Sequence, residues 1–341
     1  MQTLLALLII AIGSLGQSSS YVPINKIQQW SWETFWLTQG LFAWLILPLL
    51  GALLGCPKGT TLLQLYAQPG TPLIITYGIL WGIGGLTFGL SMRYLGVALG
   101  QSIALGTCSA FGTLLPPLLA GTNLLKGQGP LLLTGVALTI AGIAIIGYAG
   151  SLRSQSMTPE QRHAAVKDYA LTKGLIVALL CGIMSACFAL GLNAGNNIKQ
   201  AALNAGVNPL YAGLPVVALI TLGGLLTNAA YCLQQNLKHH TFHDYTHTQL
   251  WAHNIPLCAL AGLLWYSQFF GLETAKSLLT NQPTLLAFSW SILMALNVTF
   301  SNLWGLILKE WKGTSKTTIT TLLIGLLTLI ASILIVSIAQ Q

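Results

Sequence analysis

Four residues of one stretch, Trp265, Gln268, Phe269 and Leu272, recur at i, i+3, i+4 and i+7, which puts an indole and a carboxamide on a single helical face. Trp290, Asn297, Ser301 and Trp304 make a similar stripe, and Trp81, Thr87, Gln101 and Cys108 fall in two further apolar stretches. Asn193, Asn196 and Asn197 close the set, with Tyr266 beside Trp265. An amide both gives and accepts hydrogen bonds with neighbouring hydroxyls, and an indole face covers the apolar side of a sugar ring. The vocabulary is that of neutral carbohydrate recognition. Each type also has a plainer use, since Trp lines membrane interfaces and Asn, Gln and Ser bond helices together. Trp81, Trp265 and Gln268 stand apart because they sit inside apolar stretches.

Titratable chemistry has few carriers. Glu33 lies in YVPINKIQQWSWETFW (residues 21–36), where Trp30, Trp32 and Trp36 can shield it. A carboxyl so placed is a candidate for taking up and releasing a proton; the alternative is an exposed Glu33 paired with Lys26 at the lipid headgroups. Arg93 either holds a loop to lipid phosphate or lines a pathway. Glu273 with Lys276, and Lys309 with Glu310, read as helix-end pairs. Five histidines fall between 239 and 253, without cysteine, and read as a solvated loop rather than a metal site. The six cysteines form no CxxC pair and read as free thiols. No HExxH, GxSxG or paired aspartates within an apolar stretch is present, so neither catalysis nor a metal or organic cofactor is expected.

These residues must be positioned by membrane helices. Of 341 residues 54% are hydrophobic and 6% charged, against about 25% charged in a soluble domain. The 14 Lys and Arg against 6 Asp and Glu are scattered singly, which suits anionic lipid and excludes a clustered nucleic-acid face. Apolar stretches near 2–20, 36–55, 72–91, 97–118, 129–150, 174–196, 207–233, 251–272, 282–308 and 317–339 are each free of formal charge and long enough to span. The first has no basic leader and reads as a retained helix.

The longest charged segment, Arg153 to Lys173, separates five spans from five. Gly78-Ile-Leu-Trp81 with Gly89-Leu90 in the third span matches Gly262-Leu-Leu-Trp265 with Gly271-Leu272 in the eighth, the third of its half. Two five-span halves joined head to tail must have opposite orientations, the inverted repeat of secondary transporters. The expectation is therefore an all-α polytopic membrane protein of ten helices, with a first repeat over 1–150, a charged connection over 151–172 and a second repeat over 173–341. One set of loops carries ten of the 14 basic residues: Lys26, Arg93, the Arg153 to Lys173 segment, Lys238, Lys309, Lys312 and Lys316. The positive-inside rule puts that set in the cytoplasm and both termini outside.

Several segments together resemble the L-rhamnose/proton symporter family, a branch of the drug/metabolite transporter superfamily. They are Tyr21-Val-Pro23 with Lys26, WSWET at 30–34, LWGIG at 80–84, GLSMRYLG at 89–96, NPLYAGLP at 208–215, LLWYSQFF at 263–270 and LKEWK at 308–312. The resemblance implies a ten-helix inner-membrane permease of two five-helix repeats that takes up a 6-deoxyhexose with a proton. Glu33, Arg93, Trp81, Trp265, Tyr266 and Gln268 fall on matching motif positions.

The expected mechanism is alternating access. Trp81 and Trp265 roof a central site lined by Gln101, Asn193, Gln268 and Asn297, with Tyr266 and Trp290 as further sugar contacts, and Glu33, with Arg93 as second candidate, carries the coupling proton. The expected partners are a small neutral sugar and membrane lipid; the exact sugar and the oligomeric state stay open. The alternative is an exporter or exchanger of another small polar solute on the same scaffold.

Overall fold

A computed structural model describes residues 2–95, 97–156, 170–309 and 311–339. Among them are ten helices long and apolar enough to cross a membrane: α1 (Gln2–Ile24), α2 (Trp32–Leu54), α3 (Thr71–Met92), α4 (Gly100–Leu119), α5 (Gly129–Gln155), α6 (Leu171–Asn204), α7 (Leu214–His239), α8 (Thr248–Leu278), α9 (Pro283–Ile307) and α10 (Lys316–Ile338). A helix satisfies every backbone N–H and C=O within its own segment, which hydrocarbon demands. Leu4, Leu8, Ile12, Leu327 and Ile338 are exposed, as suits side chains whose solvent is lipid.

Several boundaries differ from those read off the sequence: α5 runs on to Gln155 and α6 to Asn204, α7 covers Leu214–His239, and α2 and α8 shift as well. The second helix begins at Trp32, four residues before the apolar run, because Ser31 is extended and Asp244 supplies an acceptor at the helix start. Glu33 is thereby in the first turn, where a negative charge is favoured by the helix dipole. The eighth helix runs on to Leu278, so Glu273 and Lys276 belong to it. The expectation that spans hold no formal charge is corrected accordingly.

The chain divides into two compact units, Met1–Gly82 with Gly191–Leu278, and Ile83–Leu190 with Leu279–Gln341. Each draws helices from both sequence halves. In the first, α1 packs along α8, and α2 packs against α7 and α8. Close approach is bought by small residues: a Cβ on Gly13 would meet the Ser267 carbonyl at 2.7 Å, and Ser267 Oγ donates to Gly13 O at 3.1 Å. Gly78 and Gly223 likewise let α3 and α7 cross, a Cβ on Gly78 reaching Gly223 Cα at 3.0 Å. In the second unit α5 packs along α10 and against α4, and α9 against α4, α5 and α10. Buried hydroxyls knit these helices: Ser291 bonds Ser109 at 2.9 Å and Thr113 at 2.8 Å, and Thr139 bonds Ser332 at 3.0 Å.

Candidate functional site

Midway along α2 the regular helix gives way to a π-helical turn, Phe42–Ile46. Such turns redirect one side chain and recur at functional sites. Here the residue at its centre is Trp44, 3% exposed, facing three other indoles of the first unit. Its ring centroid lies 5.7 Å from Trp36, 6.4 Å from Trp81 and 6.0 Å from Trp265, each edge to face, and Trp81 stands 5.7 Å from Trp265 at 39°. Gly40 and Gly224 have no side chain where the six-membered rings of Trp44 and Trp81 lie against them. Trp36 Nε1 donates to Asn228 Oδ1 at 3.1 Å, and Asn228 Nδ2 donates to Gly224 O at 2.9 Å.

Among the described residues Trp44 Nε1 meets no hydrogen-bond partner, and nor do Gln39 Oε1 and Tyr266 Oη; Gln39 is 2% and Tyr266 5% exposed. An unmade buried hydrogen bond costs about 1–3 kcal/mol. Of these three atoms, Trp44 Nε1 at the heart of the aromatic cluster is the one placed to meet a hydroxyl of a ligand whose apolar face lies on the indoles; Tyr266 Oη overlies Gly51, about 18 Å of helical rise from Gln39.

The sequence candidates fare differently. Trp81 and Trp265 come together, their ring centroids 5.7 Å apart. Tyr266 is on the same helix, with its hydroxyl over Gly51. Gln268 is buried on α8 and donates from Nε2 to Trp265 O at 3.1 Å. Asn193 is exposed near the bend of α6. The second unit holds Gln101 and Asn297, both half-buried, and Trp290, whose Nε1 donates to Cys108 O at 3.2 Å while its ring stacks on Phe188 at 5.9 Å. The Arg93 side chain lies outside the described part of the structure. Sequence reasoning missed Trp44, Gln39 and Asn228. Trp44 stands in the run LFAWLILP without a polar neighbour to mark it, and nothing in the periodicity announces the π turn.

At the Glu33 end of α2 the expected pairing with Lys26 is corrected. Lys26 is exposed, whereas Glu33 is 5% exposed and its Oε1 bonds His239 Nδ1 at 3.0 Å and accepts from Thr241 Oγ1 at 2.9 Å. The solvated histidine loop is therefore corrected in part too. α7 ends at His239, and His240 takes a left-handed conformation (φ 56°) that turns the chain into a short 3-10 helix, Thr241–Thr246. That turn carries Thr241 back to Glu33 and Asp244 to the start of α2. Asp244 Oδ2 accepts from Ser31 N at 2.8 Å, Ser31 Oγ at 2.6 Å and Thr34 Oγ1 at 2.9 Å. Burial pushes the Asp244 carboxyl up, but the Ser31 and Thr34 hydrogen bonds and the nearby His243 outweigh it and hold it below the ordinary carboxylate range. Asn236 Nδ2 joins the two acids, donating to Thr241 Oγ1 at 2.8 Å and to Thr34 Oγ1 at 3.1 Å.

Toward the other end of α8, Glu273 is buried and ion-paired, with Lys276 Nζ at 2.8 Å and Lys199 Nζ at 3.9 Å. It is more than a helix-end pair, since Lys199 comes from α6. Among the described residues no group of three His, Cys, Asp or Glu stands close enough to hold a metal ion.

Ten spanning helices, a buried aromatic cluster with unmet polar atoms and a buried acid beside a half-exposed histidine define a polytopic membrane carrier. The family model described as L-rhamnose-proton symport protein (RhaT) matches residues 2–340, and the chain belongs to that family. It is 34% identical over 336 residues, 96% of each chain, to the L-rhamnose-proton symporter of Yersinia pestis (strain Pestoides F). To the protein of the same name from Shigella sonnei (strain Ss046) it is 33% identical over 96% of each chain. The family is one of transporters, not of enzymes.

Proposed function

We propose that this chain imports L-rhamnose or a closely related 6-deoxyhexose across the bacterial inner membrane, together with a proton, by alternating access. The observation that carries the substrate class is the Trp44, Trp81 and Trp265 cluster with its unpartnered indole N–H. A 6-deoxyhexose has a methyl group and ring C–H faces to lie on indoles, and hydroxyls to meet Trp44 Nε1. It is uncharged, which suits a cluster with no ionised side chain in it. Tyr266, Gln268 and Gln39 supply further polar groups along α2 and α8; Gln101, Asn193, Trp290 and Asn297 are assigned to the pathway more loosely, on their positions in the spans. The two five-helix repeats fit the packing of the first unit. Gly78 of α3 faces α7 and Gly262 of α8 faces α2, equivalent pairs if each half repeats the other, and Trp81 and Trp265 meet each other and Trp44 in a triangle.

Glu33 is assigned the proton, with Arg93 retained as a candidate on its motif alone. One proton moving down 100 mV yields about 2.3 kcal/mol, which sustains roughly fifty-fold accumulation at about 1.4 kcal/mol per tenfold. The test is uptake of radiolabelled L-rhamnose into proteoliposomes with and without an imposed inward proton gradient. Accumulation that needs the gradient is expected; gradient-independent equilibration would remove the coupling, and no uptake by folded protein would remove the sugar.

A further inference from the structure

Glu33 is buried deeply enough that it needs a route to water. Among the described residues one titratable side chain touches it directly: His239, which lies at the end of α7, keeps half its side chain exposed and presents Nδ1 to Glu33 Oε1 at 3.0 Å. With Nδ1 turned inward, Nε2 is the ring atom left for solvent. Cys232 of α7 and Tyr245 of the 3-10 segment also bear on Glu33 through space, and Asp244 is reached from Thr241 only through Asn236 and Thr34. None of them joins Glu33 to water by a direct bond. Asp244 has three donors on one oxygen from Ser31 and Thr34, so it is a fixed anion rather than a carrier. Thr241 bonds Glu33 and takes its second bond from Asn236, which leads deeper into the network and away from solvent.

Resting on the symport reading, we propose that His239 is the port through which Glu33 exchanges its proton with the aqueous phase on that side of the membrane. In the release direction, the Glu33 carboxyl passes its proton to His239 Nδ1, forming carboxylate and imidazolium, and Nε2–H is then lost to water; uptake runs the same steps backwards. Histidine is suited to this because its two nitrogens can hold and pass a proton near neutral pH. By the loop charges this face is cytoplasmic, so in an importer His239 serves proton release. His239 is a positioning and relay residue and touches no sugar.

The experiment separates exchange from net transport. Sugar counterflow at equal pH on both sides moves the loaded carrier back and forth without releasing its proton, whereas accumulation requires release in every cycle. His239→Gln keeps a donor for Glu33 and cannot accept a proton. In proteoliposomes, L-rhamnose counterflow is expected to stay within about twofold of wild type, with gradient-driven accumulation reduced at least about tenfold, the low end of the effect of a positioned proton-transfer group being about a hundredfold. The pH dependence of net uptake should also change shape in the variant. Wild-type accumulation and pH profile in the variant would overturn the proposal, as would equal losses of counterflow and accumulation, which mark a merely structural role. If His239→Gln does not fold, His239→Ala with added imidazole decides: accumulation regained with imidazole supports the port, and none regained overturns it. Failure of the wild type to accumulate L-rhamnose would instead sink the symport reading.

Discussion

At the scale of single residues, Trp44 carries opposite consequences for the empty and the loaded protein. Among the described residues its buried N–H meets no acceptor, so Trp44→Phe keeps an aromatic ring and removes an uncompensated polar group. The empty variant should melt no lower than wild type, and the half-saturating L-rhamnose concentration should rise about fivefold, the worth of a net hydrogen bond of about 1 kcal/mol. Trp36→Phe is the contrast: its N–H already bonds Asn228, so that variant should lose stability with little effect on affinity. Thermal melts followed by fluorescence, paired with uptake curves, check both; a Trp44→Phe protein with unchanged affinity would take the indole N–H out of the sugar site. Trp81 and Trp265 were legible in the sequence because a Gly-x-x-Trp element repeats in the two halves. Trp44 was not, since a tryptophan in a uniformly apolar run looks like any other core residue until the backbone is known to twist there. Glu33 was legible as an isolated acid among aromatics, yet its partner was not: His239 lies over 200 positions away, and the nearer Lys26 is the pairing that sequence proximity suggests.

At the scale of elements, the start of α2 depends on a side chain from another part of the chain. Asp244 binds Ser31 and Thr34 and so ties the 3-10 segment to the first turn that holds Glu33. Its carboxyl is held below the ordinary range in the fold, while in the unfolded chain it titrates near 3.9. The stabilisation is therefore fully present above about pH 4 and is lost as pH falls through the lower folded value. Asp244→Asn should lower the melting temperature at neutral pH and flatten the fall in stability that wild type shows on acidification below that point, measured in detergent from pH 7 to 3. A variant with the same acid limb as wild type would place that titration on another group. Apolar run length found every span, because crossing hydrocarbon imposes it. It misplaced several ends, those at Trp32 and Leu278 among them, where partners also come from other parts of the chain, Asp244 to Ser31 and Lys199 to Glu273. Close helix crossings make a second dependence at this scale. Gly78→Leu would drive a branched side chain into Ile220 and Gly223 of α7, and the expected result is loss of monodisperse protein on size-exclusion chromatography.

At the scale of the whole molecule, span count fixes which loops share a face, and the packing of the first unit gives an independent reading of the same thing. Gln28 N donates to Asn254 Oδ1 at 3.1 Å, and Ser31 N donates to Asp244 Oδ2 at 2.8 Å, so the α1–α2 and α7–α8 connections meet at one end. Tyr66 Oη donates to Pro215 O at 3.0 Å and Thr274 Oγ1 to Leu210 O at 3.2 Å, which gathers the α2–α3, α6–α7 and α8–α9 ends at the other. A missed or added span between residues 20 and 278 would have broken one of these pairs. Which end faces the cytoplasm rests on loop charge, because hydrogen bonds have no memory of the membrane's sides, whereas positive-inside bias does. That bias places Lys26, Lys238 and the Glu33, His239 and Asp244 network inside, and Lys58, Lys199 and Lys276 outside. Single cysteines at His247 and Lys58, both exposed, in a background where the six native cysteines are replaced, decide it with a membrane-impermeant maleimide. The cysteine at 58 should label in intact cells and that at 247 only in inside-out vesicles. The reverse pattern would turn the carrier over, making His239 the site of proton entry from outside rather than of release within, so the labelling experiment also fixes the direction in which the proposed port works during sugar uptake.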